Sequence, residues 1–473
     1  MNERSKKFLE GPILTSLLTL AVPIVLANIL QSLYQLTDAF WVGRLGGSAV
    51  AAVSVSFPVI FLMIAVGAGL AVAGSTLIAQ YVGARNEKMV SHVASQTLFM
   101  VIGTSVVLGA IGYVLAPTIL HAIGVAPDVF DHALGYMRVS FVGLVFMFSF
   151  VMFQSIMRGI GQVTLPMFIV LGTVLLNLVL DPLFIFGWGP FSGHGVMGAA
   201  MATLVTQGLS ALIGFAVLFK GKLGIQIRLP DFKPDFAFIK RAFFLGFPAS
   251  IEQSARALGL VVMTALITSF GTLAIASYGV GSNILQFIII PAMGVSMAVS
   301  TLVGQNIGAG NIERASSIAK LGAIISFVGL SLIGVITFIF APHLIAFFVP
   351  GDDAVIALGT TFVRTMSLTF GFMGAQLALT GVFRASGNMI ATMVIALVSQ
   401  WGLQLPLAFI LSRYTSLGVN GLWWAFPISN VIIAGIAIAW YAKGDWKKKR
   451  LTEDEQLVEA VSEEIIVEEG IRK

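Results

Sequence analysis

Ala79-Gln80-Tyr81-Val82-Gly83-Ala84-Arg85-Asn86-Glu87 returns 225 positions later as Gly304-Gln305-Asn306-Ile307-Gly308-Ala309-Gly310-Asn311. The echo is not isolated. Pro23 recurs as Pro248, Gly46 as Gly271, and Ala116-Pro117 as Ala341-Pro342. Arg158-Gly159-Ile160-Gly161-Gln162 recurs as Arg384-Ala385-Ser386-Gly387-Asn388, and Gly195-Val196-Met197-Gly198 as Gly418-Val419-Asn420-Gly421. Six matches in one order mark an internal duplication, so the fold is one unit built twice.

The unit is a membrane unit. Of 473 residues, 57% are hydrophobic and only 10% are charged, against about 25% charged in soluble proteins. Too few charges remain to cover a water-facing surface of this size. Fifty glycines fit helices that approach closely in lipid. The absence of cysteine excludes disulfides, thiol catalysis and thiolate metal centres. The excess of five positive charges sits in particular loops, a signal of orientation and not of nucleic-acid binding.

A spanning helix needs roughly 20 mostly apolar residues. That rule predicts spans at 13–41, 48–80, 93–119, 133–157, 163–187, 194–219, 240–270, 274–305, 316–349, 355–383, 388–413 and 418–442. The first is read as a retained helix and not a signal peptide, since the apolar run continues past Ala27 with no small-residue cleavage site. Lys and Arg gather in alternate loops: Arg4, Lys6 and Lys7 before the first span, Arg85 and Lys88 after the second, six between Lys220 and Arg241, and Lys447–Arg450 after the last. The other loops hold Arg44 and Arg413 beside Asp128, Asp131, Asp352 and Asp353. Both termini are therefore expected in the cytoplasm of a plasma-membrane protein, with an even number of spans. The expected architecture is an all-α integral membrane protein of about twelve transmembrane helices. They form two six-helix bundles, 1–222 and 239–445, related by a pseudo-two-fold axis along the membrane normal. Residues 223–238 are the linker and 446–473 a charged tail. Two like-oriented halves suit alternating access, one half rocking against the other.

Three acids fall well inside spans: Asp38, Asp181 and Glu252. Each costs about 2.5–3.5 kcal/mol at a helix centre on insertion scales, which makes it a functional candidate. Asn28, Gln31, Gln35 and Asp38 lie at helical spacing on one face of the first span, as do Thr173, Asn177 and Asp181 on the fifth. Two nearby buried carboxylates cannot both ionise cheaply, so one takes a proton or a cation sits between them; the alternative is that each ties helices together. Asn28, Gln31, Gln35 and Gln154 are candidates to line a substrate cavity, ordinary interhelical hydrogen bonding being the other reading. Glu252 stands four residues before Arg256, the favourable order for a local ion pair, and structural and functional roles stay open there. The histidines lie near span ends and point to no metal site.

Together these residues carry a resemblance. Pro23, Gln35-Leu36-Thr37-Asp38 with Gly43-Arg44-Leu45-Gly46, the paired Gln-x-x-Gly-Ala segments, Arg158 and Arg384, and Asn177-x-x-x-Asp181-Pro182 resemble the multidrug and toxic compound extrusion (MATE) transporters, from about residue 12 to 442. Acids on the first and fifth spans look like the DinF-like branch. No Asp or Glu between Asp353 and Asp445 argues against the NorM-like one. The resemblance implies a non-enzymatic antiporter that exports amphipathic, often cationic, drug-like compounds in exchange for H+ or Na+. It implies a coupling site at Asp38, Asp181, Asn177 and Thr203, able to hold Na+, and a bend of the first helix at Pro23. It further implies a monomer in lipid with no cofactor and no nucleic-acid partner. A lipid or lipid-linked-oligosaccharide flippase of the same broader superfamily is the alternative; the scarcity of basic residues within spans speaks against its cationic cavity.

Overall fold

The computed structural model describes residues 3–189, 191–221, 225–227 and 229–452. Residues 453–473 of the expected charged tail at 446–473, and the loop residues Lys222 and Arg228, lie outside the described residues. The first half comprises a short helix α1 (Glu3–Glu10), then α2 (Ile13–Gly43), α3 (Gly47–Gly83), α4 (Glu87–Ile123), α5 (Pro127–Gly159), α6 (Thr164–Phe186) and α7 (Val196–Lys220). A two-stranded hairpin, β1 (Gly187–Trp188) with β2 (Phe191–Ser192), joins α6 to α7. The second half comprises α8 (Phe236–Thr268), α9 (Thr272–Gly308), α10 (Ile312–Phe348), α11 (Asp353–Ser367), α12 (Phe370–Ala385), α13 (Met389–Leu397), α14 (Leu405–Arg413) and α15 (Val419–Lys443).

Among the described residues, eleven helices are long and apolar enough to cross a membrane, and α11 with α12, counted as one bent span, brings the number to twelve. That span departs from the expected single helix over 355–383, because α11 and α12 meet at a bend of 51°. Around the break, the Ser367 hydroxyl donates to the Arg364 carbonyl (2.7 Å) and the Thr369 hydroxyl to the Met366 carbonyl (3.2 Å). Such back-bonding competes with the helix's own ladder. The span 388–413 is continuous but passes through a π-helical stretch, Val398–Gln404. The segment before the first span forms the short helix α1.

The repeated motif does the same work in both halves. It ends α3 and α9 and turns the chain into α4 and α10. Arg85 (φ 59°) and its repeat mate Gly310 (φ 79°) take the left-handed conformation that reverses direction; Arg85 is the one non-glycine with positive φ among the described residues. Asn86 then caps α4, its side-chain oxygen accepting from the Met89 amide at 3.0 Å.

The halves pack by exchange. The opening span of each, α2 or α8, lies against the fifth span of its own half and the second span of the other: α2 on α6 and α9, α8 on α13 and α3. One apolar core fills the first half and another the second. A third runs across the seam, joining Phe8, Leu17, Leu20 and Val163 to Leu302, Ile307 and Phe383.

At the end that carries both termini, the seam is drawn tight. A Cβ on Gly83 would fall 1.9 Å from the Gln305 carbonyl oxygen, and one on Gly308 would fall 1.9 Å from that of Gln80. Only glycine lets α3 and α9 approach so closely. The Gln80 amide donates to the Ala385 carbonyl (2.7 Å), and the Gln305 amide donates to the Gly159 carbonyl (2.9 Å). Each glutamine thus reaches the last turn of a helix in the opposite half. The terminal segments cover this clamp symmetrically. Phe8 packs on Gly161 and Leu451 on its repeat mate Gly387, while the Leu451 amide donates to Gln80 Oε1 at 2.8 Å.

Candidate functional site

Asp38 and Asp181 lie far apart in sequence, but α2, α6 and α7 bring them together. Asn177 and Asp181, one turn apart on α6, are fully buried. The Asn177 amide donates to Asp181 Oδ1 at 2.8 Å. From α7, the Thr203 hydroxyl donates to Asp38 Oδ2 at 3.3 Å. The carboxyl of Asp38 interacts with that of Asp181 and with Asn177. All four residues expected at the coupling site thus form one cluster. Pro182, directly after Asp181, has no N–H to give the Leu178 carbonyl a turn earlier.

A shell of hydroxyls surrounds the cluster. Tyr34, a turn before Asp38, hydrogen-bonds Thr206 at 2.8 Å, and Thr173 hydrogen-bonds Ser210 at 2.7 Å. Tyr136 of α5 lies near enough to act electrostatically on both carboxyls. None of Tyr34, Tyr136, Thr206 and Ser210 stands out in the sequence, since a lone hydroxyl in an apolar helix usually bonds its own backbone.

The balance of donors and acceptors decides what this cluster can do. Asp38 Oδ1, Asp181 Oδ2 and Asn177 Oδ1 are each buried without a hydrogen-bond partner. Two acids and three unsatisfied oxygens in one buried place call for a proton or a small hard cation. Either fits an all-oxygen donor set. Among the described residues no group of three His, Cys, Asp or Glu assembles a denser metal site.

The second half has no equivalent. By the repeat, Asp38, Asp181 and Thr203 correspond to Met263, Leu405 and Phe426. These pack into the apolar core of that half. The frame is duplicated and the polar chemistry is not.

The remaining candidates separate. Asn28, Gln31 and Gln154 line one pocket with Arg158, Ile24, Ala27, Val163 and Pro166. Gln35, on the same sequence stripe, is exposed and outside that lining. Pro23 lies within α2, which is continuous here from Ile13 to Gly43. Glu252 is fully buried and pairs with more than its local neighbour: Arg384 Nη2 stands 2.7 Å and Arg256 Nη2 3.3 Å from its Oε1. The shorter bond ties α8 to α12, a contact that i,i+4 spacing cannot reveal.

Known proteins resemble the chain over both repeats. The family model MatE matches residues 23–183 and again 248–410, one copy on each repeat. The chain is 30% identical over 435 residues to a probable multidrug resistance protein, YoeA, of Bacillus subtilis, covering 91% of this chain and 94% of that one. Among solved structures it resembles a MATE protein crystallised in complex with MaL6 (TM-score 0.88, 25% identity, 93% of this chain and 99% of the other). It likewise resembles an outward-facing multidrug resistance MATE transporter of the MOP superfamily (TM-score 0.87, 26% identity, 93% and 98%).

Proposed function

The chain belongs to the MATE family, a family of membrane transporters, and from that premise we propose that it is a secondary antiporter. It exports amphipathic, often cationic, compounds in exchange for H+ or Na+. The carrying observation is the cluster of Asp38, Thr203, Asn177 and Asp181 with three unpartnered oxygens. A proton or Na+ entering it satisfies those oxygens and cancels the repulsion between the acids. Its departure restores both costs. A site of this kind has two states whose energies differ by the ion, which is what coupling requires.

The position of α2 links that change to the whole molecule. This helix carries Asp38 and touches both halves, packing on α6 and on α9. Ion binding at one of its ends therefore acts on the seam along its length, and Pro23 supplies the point where it bends. The alternating basic loops support the reading of both termini as cytoplasmic in a plasma-membrane protein. The clamp at the terminal end then closes the cytoplasmic side, and the described conformation is the outward-facing one. Acids on α2 and α6 and none at the matching places of the second half support the DinF-like reading. One chain holds both halves and the complete cluster, so the working unit is the monomer.

The test is efflux of a fluorescent cation from vesicles under a proton gradient or a sodium gradient imposed separately. Wild type responds to one of them. Asp38→Asn, folded and inserted normally, loses coupled efflux by about a hundredfold or more. Gradient-driven efflux by Asp38→Asn at the wild-type rate refutes the assignment.

A further inference from the structure

Pro117 and Pro342 recur in register in the two halves, within α4 and α10. Neither proline has an N–H, so the carbonyls of Tyr113 and Phe338, one turn earlier, lose their helical partner. An arginine of the next helix meets each place. The Arg138 guanidinium, from α5, lies 5.0 Å from the centre of the Tyr113 ring, and that of Arg364, from α11, lies 5.2 Å from the centre of the Phe338 ring. Arg138 and Arg364 are themselves repeat mates, at the spacing that pairs Arg158 with Arg384. Arg364 Nε donates to the freed Phe338 carbonyl at 3.1 Å, whereas Arg138 Nε is buried with no hydrogen-bond partner. Among the described residues neither arginine has a carboxylate partner, and the terminal nitrogens of both make no hydrogen bond.

Helix lengths place both arginines near the edge of the hydrocarbon. Each lies eleven residues after the one that opens its helix, Pro127 of α5 or Asp353 of α11, which is about 16 Å along the axis. α5 has 33 residues and is about 50 Å long, against about 30 Å of hydrocarbon. With the excess shared between its ends, Arg138 falls about 6 Å inside the hydrocarbon, on the side away from the termini. An arginine side chain reaches the headgroups from that depth. The rings beneath the two guanidiniums are open, Tyr113 at 43% and Phe338 at 42% exposure. An exposed apolar stripe runs beside each: Val107, Ile111 and Val114 on α4, and their repeat mates Leu332, Ile336 and Ile339 on α10. α4 packs chiefly on α3 and α5, and α10 on α9, α11 and α12, so both stripes face outward from their bundles.

We propose that each half carries a phospholipid site in the leaflet opposite the termini, where Arg138 on Tyr113, and Arg364 on Phe338, bind the lipid's phosphodiester while its acyl chains lie on the exposed stripe of α4 or α10. An unpaired guanidinium inside an apolar span is costly and persists where it can reach a polar group. Its planar fork suits two phosphate oxygens. The ring beneath it holds the fork in place while leaving the terminal nitrogens free to donate. One such anchor in each lobe sets both lobes at the same depth. The inference needs only that the chain spans a membrane, and stands apart from what it exports.

The test is native mass spectrometry of the full chain in detergent, titrated with dioleoylphosphatidylethanolamine and, separately, with dioleoylglycerol, which has the same chains and no phosphate. A zwitterionic lipid is chosen so that the basic loops at the other end contribute little. Wild type binds the phospholipid more tightly than the diacylglycerol. Arg138→Gln and Arg364→Gln each weaken one bound phospholipid by about tenfold, and the double variant weakens two. Tyr113→Leu/Phe338→Leu keeps both arginines but removes the rings, and weakens the same two by about threefold. Diacylglycerol binding is the same in all of them. Phospholipid binding by the double arginine variant at wild-type strength overturns the proposal. So does wild-type binding of diacylglycerol as tightly as phospholipid, which would assign the stripes to acyl chains alone. Displacement of the phospholipid by excess inorganic phosphate also overturns it, making the arginines a site for a free anion.

Discussion

Thr203 reaches Asp38 from a helix 165 residues away, across 3.3 Å, and among the described residues is the one hydroxyl that hydrogen-bonds that carboxyl. A hydrogen bond to a charged group contributes about 1.5–3 kcal/mol. Removing it in Thr203→Val, nearly the same shape, should therefore shift the half-maximal proton or Na+ concentration for coupled efflux by about tenfold or more. Thr203→Ser should restore it, and a Thr203→Val titration that overlays the wild type would remove Thr203 from the site. Asp38 and Asp181 are legible from sequence alone because an acid in an apolar run is costly. Asn177 is legible because it stands one helical turn from Asp181. The partners of Tyr34 and Tyr136 are not, since they depend on which helices pack together. The same holds for Glu252, whose spacing reveals Arg256 but not Arg384 across the seam.

At the scale of elements, the Gln-x-x-Gly motif is a two-part clamp. Glycine sets the distance between α3 and α9, and glutamine fixes each half to the other. Both bonds are buried, and each contributes about 1 kcal/mol net. Losing both in Gln80→Ala/Gln305→Ala, together with the bond from Leu451 to Gln80, removes about 3 kcal/mol and should raise the open fraction of the seam by about a hundredfold. Ala79→Cys reports this, because Ala79 is buried and lies against the spot where a Gly304 Cβ would sit. Maleimide added from the side of the termini should label it faster in the double variant; equal labelling would mean that packing alone holds the seam. Most element boundaries follow from hydropathy and glycine. The bend between α11 and α12 does not, because Ser367 and Thr369 are compatible with an unbroken helix and only their bonds to backbone carbonyls mark the break.

For the whole molecule, duplication supplies two matched lobes and a seam, while the paired acids Asp38 and Asp181 belong to the first alone. Where that half holds Asp38, Asp181 and Thr203, the second holds Met263, Leu405 and Phe426. The repeat in the sequence exposes both the symmetry of the frame and the loss of symmetry at Met263. The exchange of α2 and α8 across the seam is invisible there, because it depends on how the bundles dock. If the acid cluster drives lobe motion through α2, ion occupancy must change the distance between the lobes at the terminal end. Lys88 and Glu313 are exposed repeat mates at the starts of α4 and α10, and the chain has no native cysteine to interfere with labelling. Spin labels on Lys88→Cys/Glu313→Cys, read by double electron–electron resonance, measure that distance directly. The expected result is two distance populations, the shorter matching the clamped structure, whose weights change with pH or Na+ in the otherwise wild-type chain and stop changing when Asp38→Asn is added. A distance distribution indifferent to both ions, or one that still responds after Asp38→Asn, would contradict ion-driven alternation through this site.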